Sequence, residues 1–245
     1  MKRSGIGGMA FAGLMAFSLC SAVAAWAAGP SFSEGQHAYE YGAGDIGQIL
    51  VSVPAGALDG GKNFPLLVFL HGSGERGEDI TRVKVQGPPK LVEERPDFPF
   101  IVVSPQLAAD ARWKSAQILD LVDWLAEKLP VDEDRLYLTG LSLGGTGTWR
   151  TAIADPKRFA AIAPIAGRSV EDTYCVLASL PVWAFHGARD DIVDPGNTVD
   201  MVAAIEACGG RPGFTLYPDA NHNSWTRTYE SEGLYQWLLS HRKRR

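Results

Sequence analysis

Short apolar runs alternate with amphipathic ones along most of the chain. "QILVSVP" (48–54), "FPLLVFLHG" (64–72), "FIVVSP" (100–105), "RLYLTG" (135–140), "FAAIAPIAG" (159–167), "PVWAFHG" (181–187) and "FTLYP" (214–218) predict strands. Several are apolar on both faces, the pattern of strands buried in a mainly parallel sheet. Helices are predicted between them. "SAQILDLVDWLAEKL" (115–129) sets Ile118, Leu121, Val122, Leu125 and Leu129 on one face and stops at Pro130. "NTVDMVAAIEACGG" (197–210) ends on Gly209 and Gly210, and "SEGLYQWLLSHR" (231–242) makes a last helix. Strand–helix alternation at this pitch predicts an α/β fold: a mainly parallel sheet with helices on both faces. Right-handed crossovers then gather the strand C-termini along one edge, where sites form. No repeat, low-complexity stretch or linker interrupts the pattern.

The start of the chain departs from it. Lys2 and Arg3 precede the uncharged run "MAFAGLMAFSLCSAVAAWAA", and Ala25-Trp26-Ala27 fits a cleavage site. Residues 1–27 therefore read as a signal peptide, and 28–245 as a single α/β domain, exported to the periplasm or the exterior. A membrane anchor is the rival, because the run approaches the ~20 residues of a span. Its Ala and Gly content and its small closing residues favour cleavage, which would leave no stable membrane insertion. Phe17 and Leu19 argue against a lipidated Cys20. Across 245 residues the net charge is −5. That excludes the basic stripe of a nucleic-acid binder. The closing "HRKRR" reads as a solvated tail.

The chemistry gathers around "LTGLSLGGTG" (138–147). Ser142 stands where a buried strand meets a helix, with Gly140 two residues before it and Gly144 two after. A serine at the apex of such a turn is strained and exposed, and its neighbours must be small because strand and helix nearly touch. A helix N-terminus there favours a developing anion. The plain alternative is a serine N-cap.

A serine nucleophile needs a base, and the base an orienting acid. His222 stands in "YPDANHNSW", between the last strand and the last helix, and is the candidate base. It must be neutral to act, so activity should fall on acidification. His37 and His241 read as solvated. His71 and His186, each before a glycine at a strand end, read as structural residues bonding loop backbone. "HGARDDIVDPGN" offers Asp190 first as the acid, with Asp191 and Asp194 as alternatives; Asp219 reads as a turn residue. "LHGSGERG" (70–77) reads as an oxyanion loop. One donor would be the N–H of Leu143 and the other that of Ser73 or Gly74.

Together, "PLLVFLHGSGERGED" (65–79), "SPQ" (104–106), "RLYLTGLSLGGTGTW" (135–149), "PVWAFHGARDDIVDP" (181–195) and "YPDANHNSW" (217–225) resemble the α/β-hydrolase superfamily. The resemblance is to small bacterial phospholipase/carboxylesterase and dienelactone-hydrolase-like esterases, including the group labelled "predicted peptidase". It implies Ser142 as nucleophile, Asp190 as acid, His222 as base and Ser73 as an oxyanion donor. It also implies ester hydrolysis through an acyl-enzyme, with no metal or organic cofactor. Asp194 before Pro195 departs from the valine many relatives carry. About fifteen residues between "PIAG" and "LPVWAF" are too few for a cap domain, so an open cleft is expected. The longer loops are 73–99 and 105–114. Trp113 and Trp225 are candidates to wall the substrate pocket, and Arg76 is expected to pair with Glu78 or Asp79, with contact to an acidic substrate as the alternative. Cys175 and Cys208 both fall near the end of the sheet away from the site, where a disulfide between them is a hypothesis. The expected partner is a small-molecule or polymer-derived ester. A peptidase of the same fold and a non-catalytic binding protein are the alternatives.

Overall fold

A computed structural model describes residues 30–95, 97–170 and 173–243, so the expected signal peptide lies outside the described residues. The strands are β1 (Gly35–Ala43), β2 (Ile46–Val53), β3 (Phe64–Leu70), β4 (Ile101–Leu107), β5 (Val131–Leu141), β6 (Ala161–Ile165), β7 (Trp183–Gly187) and β8 (Gly213–Tyr217). They form one sheet in the order β1-β2-β4-β3-β5-β6-β7-β8. The β1–β2 and β2–β4 pairs are antiparallel, and every other pair is parallel.

The sheet divides two cores because successive side chains point to opposite faces. In β3, Leu66, Val68 and Leu70 enter one core, and Leu67 and Phe69 the other. In β5, Leu136 and Leu138 face one way and Tyr137 the other. The helices are α1 (Gly87–Glu94), α2 (Ser115–Lys128), α3 (Leu143–Ala154), α4 (Gly196–Ala207), α5 (Trp225–Glu230) and α6 (Glu232–Leu239). Helices α2, α3 and α4 contribute to the first core, through residues such as Leu121, Trp149 and Met201. Helices α1, α5 and α6 contribute Leu91, Tyr229 and Leu234 to the second. On α2 the expected face, Ile118, Leu121, Val122 and Leu125, is buried. No helix among the described residues is long and apolar enough to cross a membrane.

Three features differ from expectation. The outer strand β1, "GQHAYEYGA", is largely exposed, so it carries no apolar run to announce it. The 73–99 segment is not one long loop; it holds two 3₁₀ turns and α1, which opens on Gly87-Pro88-Pro89. The start of the basic tail is docked. Tyr137 donates to the His241 carbonyl (2.8 Å), and the Lys243 N–H donates to the Asp134 carbonyl (2.8 Å). His241 itself is half-buried beside Trp237.

Among the described residues the β6–β7 connection contributes one 3₁₀ turn (Tyr174–Leu177), and no cap domain is present. Cys175 in that turn is joined by a disulfide to Cys208, which closes α4, with the two Cα atoms 5.2 Å apart. The bridge closes a loop with a sequence separation of 33. Constraining a loop of that size in the unfolded chain stabilises the fold by about 3–4 kcal/mol. A Cys175→Ala/Cys208→Ala protein should lose about that much in urea titrations. A midpoint equal to the parent's would refute it.

Candidate active site

The turn after β5 places Ser142. Its φ of 52° and ψ of −112° lie where non-glycine residues are strained. The turn is held because the Ser142 N–H donates to the Ile165 carbonyl (2.9 Å) and its own carbonyl accepts from Thr146 N–H (3.0 Å). A side chain at Gly144 would collide with the Leu70 carbonyl oxygen at the end of β3. One at Gly140 would collide with Gly144. Strand and helix therefore approach more closely than any Cβ permits, and the serine is turned outward at the first turn of α3.

His222 comes to Ser142 from the loop after β8. Its Nε2 lies 2.9 Å from Ser142 Oγ, and its Nδ1 lies 2.7 Å from Asp190 Oδ2. A carboxylate can only accept, so Nδ1–H donates to Asp190 and Nε2 is left to accept the serine proton. The Asp190 side chain is fully buried. Burial works to raise its pKa. Hydrogen bonds from His222 and from the N–H groups of Val193 and Ile192 outweigh it, and the pKa falls below the usual value. Both N–H groups donate to Oδ1 at 2.9 Å. The alternatives are elsewhere: Asp191 is exposed, and Asp194 accepts from Gly196 N–H (2.8 Å) in its own turn.

His186 does more than bond loop backbone. Its Nε2 lies 3.1 Å from Asp190 Oδ2 and 3.0 Å from the Val193 carbonyl, two acceptors, so this nitrogen carries the proton. Its Nδ1 then accepts from the Thr198 hydroxyl (2.7 Å) at the start of α4. Burial lowers the His186 pKa, which keeps the ring neutral. Sequence reading missed this contact. The four-residue spacing of His186 and Asp190 across the end of β7 is the signal that carried it.

The loop after β3 faces the serine. Ser73 opens a 3₁₀ turn and Leu143 opens α3; the first N–H groups of a helix have no partner within it. Both residues line one cavity with Ser142, of about 250 Å³. Trp113 lines it too, donating from Nε1 to the His71 carbonyl (3.1 Å). Trp225 does not line that cavity. It packs edge-on against His222, centroids 5.1 Å apart, and its indole is turned to Gln86. Arg76 pairs with neither Glu78 nor Asp79. Its guanidinium donates to the Ser73 and Ala111 carbonyls (3.1 and 3.2 Å), bracing the loop. A larger hollow of about 640 Å³, walled by Phe64, Pro65, Phe98 and Arg135, lies at the opposite end of β3 and β5, away from Ser142. Among the described residues no three His, Cys, Asp or Glu side chains are grouped to hold a metal ion.

The sheet order and parallel core are those of the α/β-hydrolase fold. The family model described as "Putative esterase" matches residues 49–205, and the chain belongs to that family of hydrolases. A solved thermostable esterase is 27% identical, with a TM-score of 0.72, over 84% of this chain and 63% of that one. The bifunctional acetylxylan esterase/xylanase XynS20E of Neocallimastix patriciarum is 28% identical over 85 residues, 35% of this chain and 12% of that protein. S-formylglutathione hydrolase (FrmB) of Staphylococcus aureus shares the fold at 16% identity, with a TM-score of 0.64, over 84% of this chain and 98% of that one. The chain thus spans less than two thirds of the thermostable esterase and a small part of XynS20E.

His71 supports the serine-facing loop and has a measurable consequence. It is fully buried; Nδ1–H donates to the Gly72 carbonyl (2.6 Å), and Nε2 accepts from Leu107 N–H (3.1 Å). Burial pushes its pKa from 6.5 down to about 4. Below pH ~6.5 the unfolded chain takes up a proton that the folded one refuses, so stability falls with pH until about pH 4. At 1.36 kcal/mol per unit, the loss reaches about 3 kcal/mol. Urea titrations from pH 7 to 4 should show this slope, and His71→Asn should flatten it. An equal slope in both proteins would refute the assignment.

Proposed function

We propose that the chain is a serine esterase acting on carboxylic esters, with Ser142 as nucleophile, His222 as general base and Asp190 as the acid that orients it. The observation that carries the reading is the two-step contact through one imidazole, 2.9 Å to the Ser142 hydroxyl and 2.7 Å to the Asp190 carboxylate.

In the proposed reaction the Ser142 proton moves to His222 Nε2 as Oγ bonds the ester carbonyl carbon. The N–H groups of Ser73 and Leu143 receive the oxyanion. The imidazolium, steadied by Asp190, protonates the leaving alkoxide, and the carbonyl C–O bond breaks to give an acyl-enzyme. Water then attacks the acyl carbon, His222 takes its proton, and the acid departs as Oγ regains a hydrogen. Export is part of the proposal. The Cys175–Cys208 bridge supports it, because disulfides persist in oxidising compartments.

Short-chain p-nitrophenyl esters and matched peptide anilides separate esterase from peptidase activity, and a fluorophosphonate probe reports the nucleophile. Ester hydrolysis should dominate, and the probe should label Ser142. Ser142→Ala should lose about 10⁴-fold or more of kcat. Wild-type rates in that variant would sink the reading. Asp190→Asn should keep the fold but reverse the hydrogen-bond demand on Nδ1, lowering kcat by about 10³–10⁴-fold. A loss below tenfold would move the acid's role elsewhere.

A further inference from the structure

The cavity beside Ser142 has an unusual wall for a chain of net charge −5. It contains Arg112, Arg150 and Arg168, and no aspartate or glutamate. Among the described residues no ion pair joins any of the three to a carboxylate. Arg150 reaches the wall through helix spacing. Leu143, Thr146, Gly147 and Arg150 recur at three and four residues on α3 and share one face. Arg168 is tied to the same helix face: its N–H donates to Thr146 Oγ1 (2.9 Å), and its guanidinium donates to the Ile192 carbonyl (3.0 Å). Arg112 directly precedes Trp113, whose ring packs on Gly147 and whose indole is tied to His71.

The side of the serine on which this wall lies matters. In the proposed reaction the leaving alcohol takes its proton from His222. Neither His222 nor Trp225 lines the cavity, whereas the two oxyanion candidates, Ser73 and Leu143, do. The alcohol therefore leaves on the His222 side, and the acyl part occupies the arginine-walled space. At about 250 Å³ that space falls just below the ~300–1,000 Å³ of drug-sized pockets, so it suits a small acyl group. Planar guanidinium donors match a carboxylate in geometry as well as charge.

Resting on the esterase reading above, we propose that the preferred substrates are esters whose acyl part ends in a carboxylate, half-esters of short dicarboxylic acids, held by Arg112, Arg150 and Arg168. Among the described residues these three exposed guanidinium groups have no carboxylate partner, and an anionic acyl end supplies one while it positions the carbonyl at Ser142. The site is a specificity device added to the nucleophile; hydrolysis itself needs none of the three arginines.

The test compares monoethyl glutarate with ethyl hexanoate, a neutral acyl chain of similar length, by pH-stat. The wild-type kcat/KM should favour the half-ester by at least about tenfold, which corresponds to about 1.4 kcal/mol. The ratio should shrink as salt is raised towards about 1 M, where screening is strong. Arg112→Gln and Arg150→Gln should each lower the ratio severalfold, chiefly through KM for the half-ester. A wild-type ratio at or below one, or a ratio unchanged in the triple Arg→Gln protein, overturns the proposal. Binding gives a readout independent of turnover. Ser142→Ala protein should bind monoethyl glutarate in calorimetry, more weakly once the arginines are replaced. Absence of that binding overturns the arginine site. Hydrolysis of ethyl hexanoate surviving in Ser142→Ala would instead overturn the esterase reading.

Discussion

The Asp190 carboxylate is the fixed point about which the site is arranged. It is buried, and its two oxygens accept four hydrogen bonds, two from the backbone N–H groups of Ile192 and Val193 and one each from His222 and His186. Leaving a buried carboxylate short of partners is expensive, so each donor is held where it is needed. The loop 190–193 wraps the acid, His186 anchors it to Thr198 at the start of α4, and His222 is drawn from a loop on the far side of β8. The imidazole that reaches Ser142 is thus positioned by the demand of an anion it does not share with solvent.

The second constraint is steric. Ser142 can stand in a positive-φ turn because Gly140 and Gly144 let β5 and α3 close on the Leu70 carbonyl. The backbone strain at one residue is offset by the packing of a strand buried on both faces and a helix whose Trp149 and Ala152 are in the core. Ser142 and Asp190 follow one pattern: a polar group in a costly place is set just past the end of a strand whose other residues hold it there.

Much of this was legible in the sequence, and the reasons differ from element to element. Strands β3 to β7 announced themselves because burial on both faces demands unbroken apolar runs, and β2 and the half-buried edge strand β8 through shorter apolar stretches. Helix α2 did so because one stripe of it meets the core. Strand β1 stayed hidden because it is paired on one side only and keeps polar side chains in water. Helix α5 (Trp225–Glu230) stayed hidden because six residues are too few for a helical period to show. Ser142, His222 and Asp190 were legible as candidates through their positions after strands, whereas their distances were not. Arg76 and Trp225 went the other way. Their chemistry suggested an ion pair and a pocket wall, and the fold satisfies them with backbone carbonyls and the Gln86 amide.

The division of β5 between two cores reaches beyond packing. Tyr137 and Leu138 belong to opposite halves of the interior, so a slip of one position would push an aromatic ring into a space shaped for an aliphatic chain and the reverse. Alignment of the strand is therefore quantised, and the height at which the turn after it presents the Ser142 hydroxyl admits no intermediate setting. Surface segments around the mouth can be lengthened, shortened or exchanged while that height stays the same, which lets such a scaffold change what it accepts without rebuilding how it reacts.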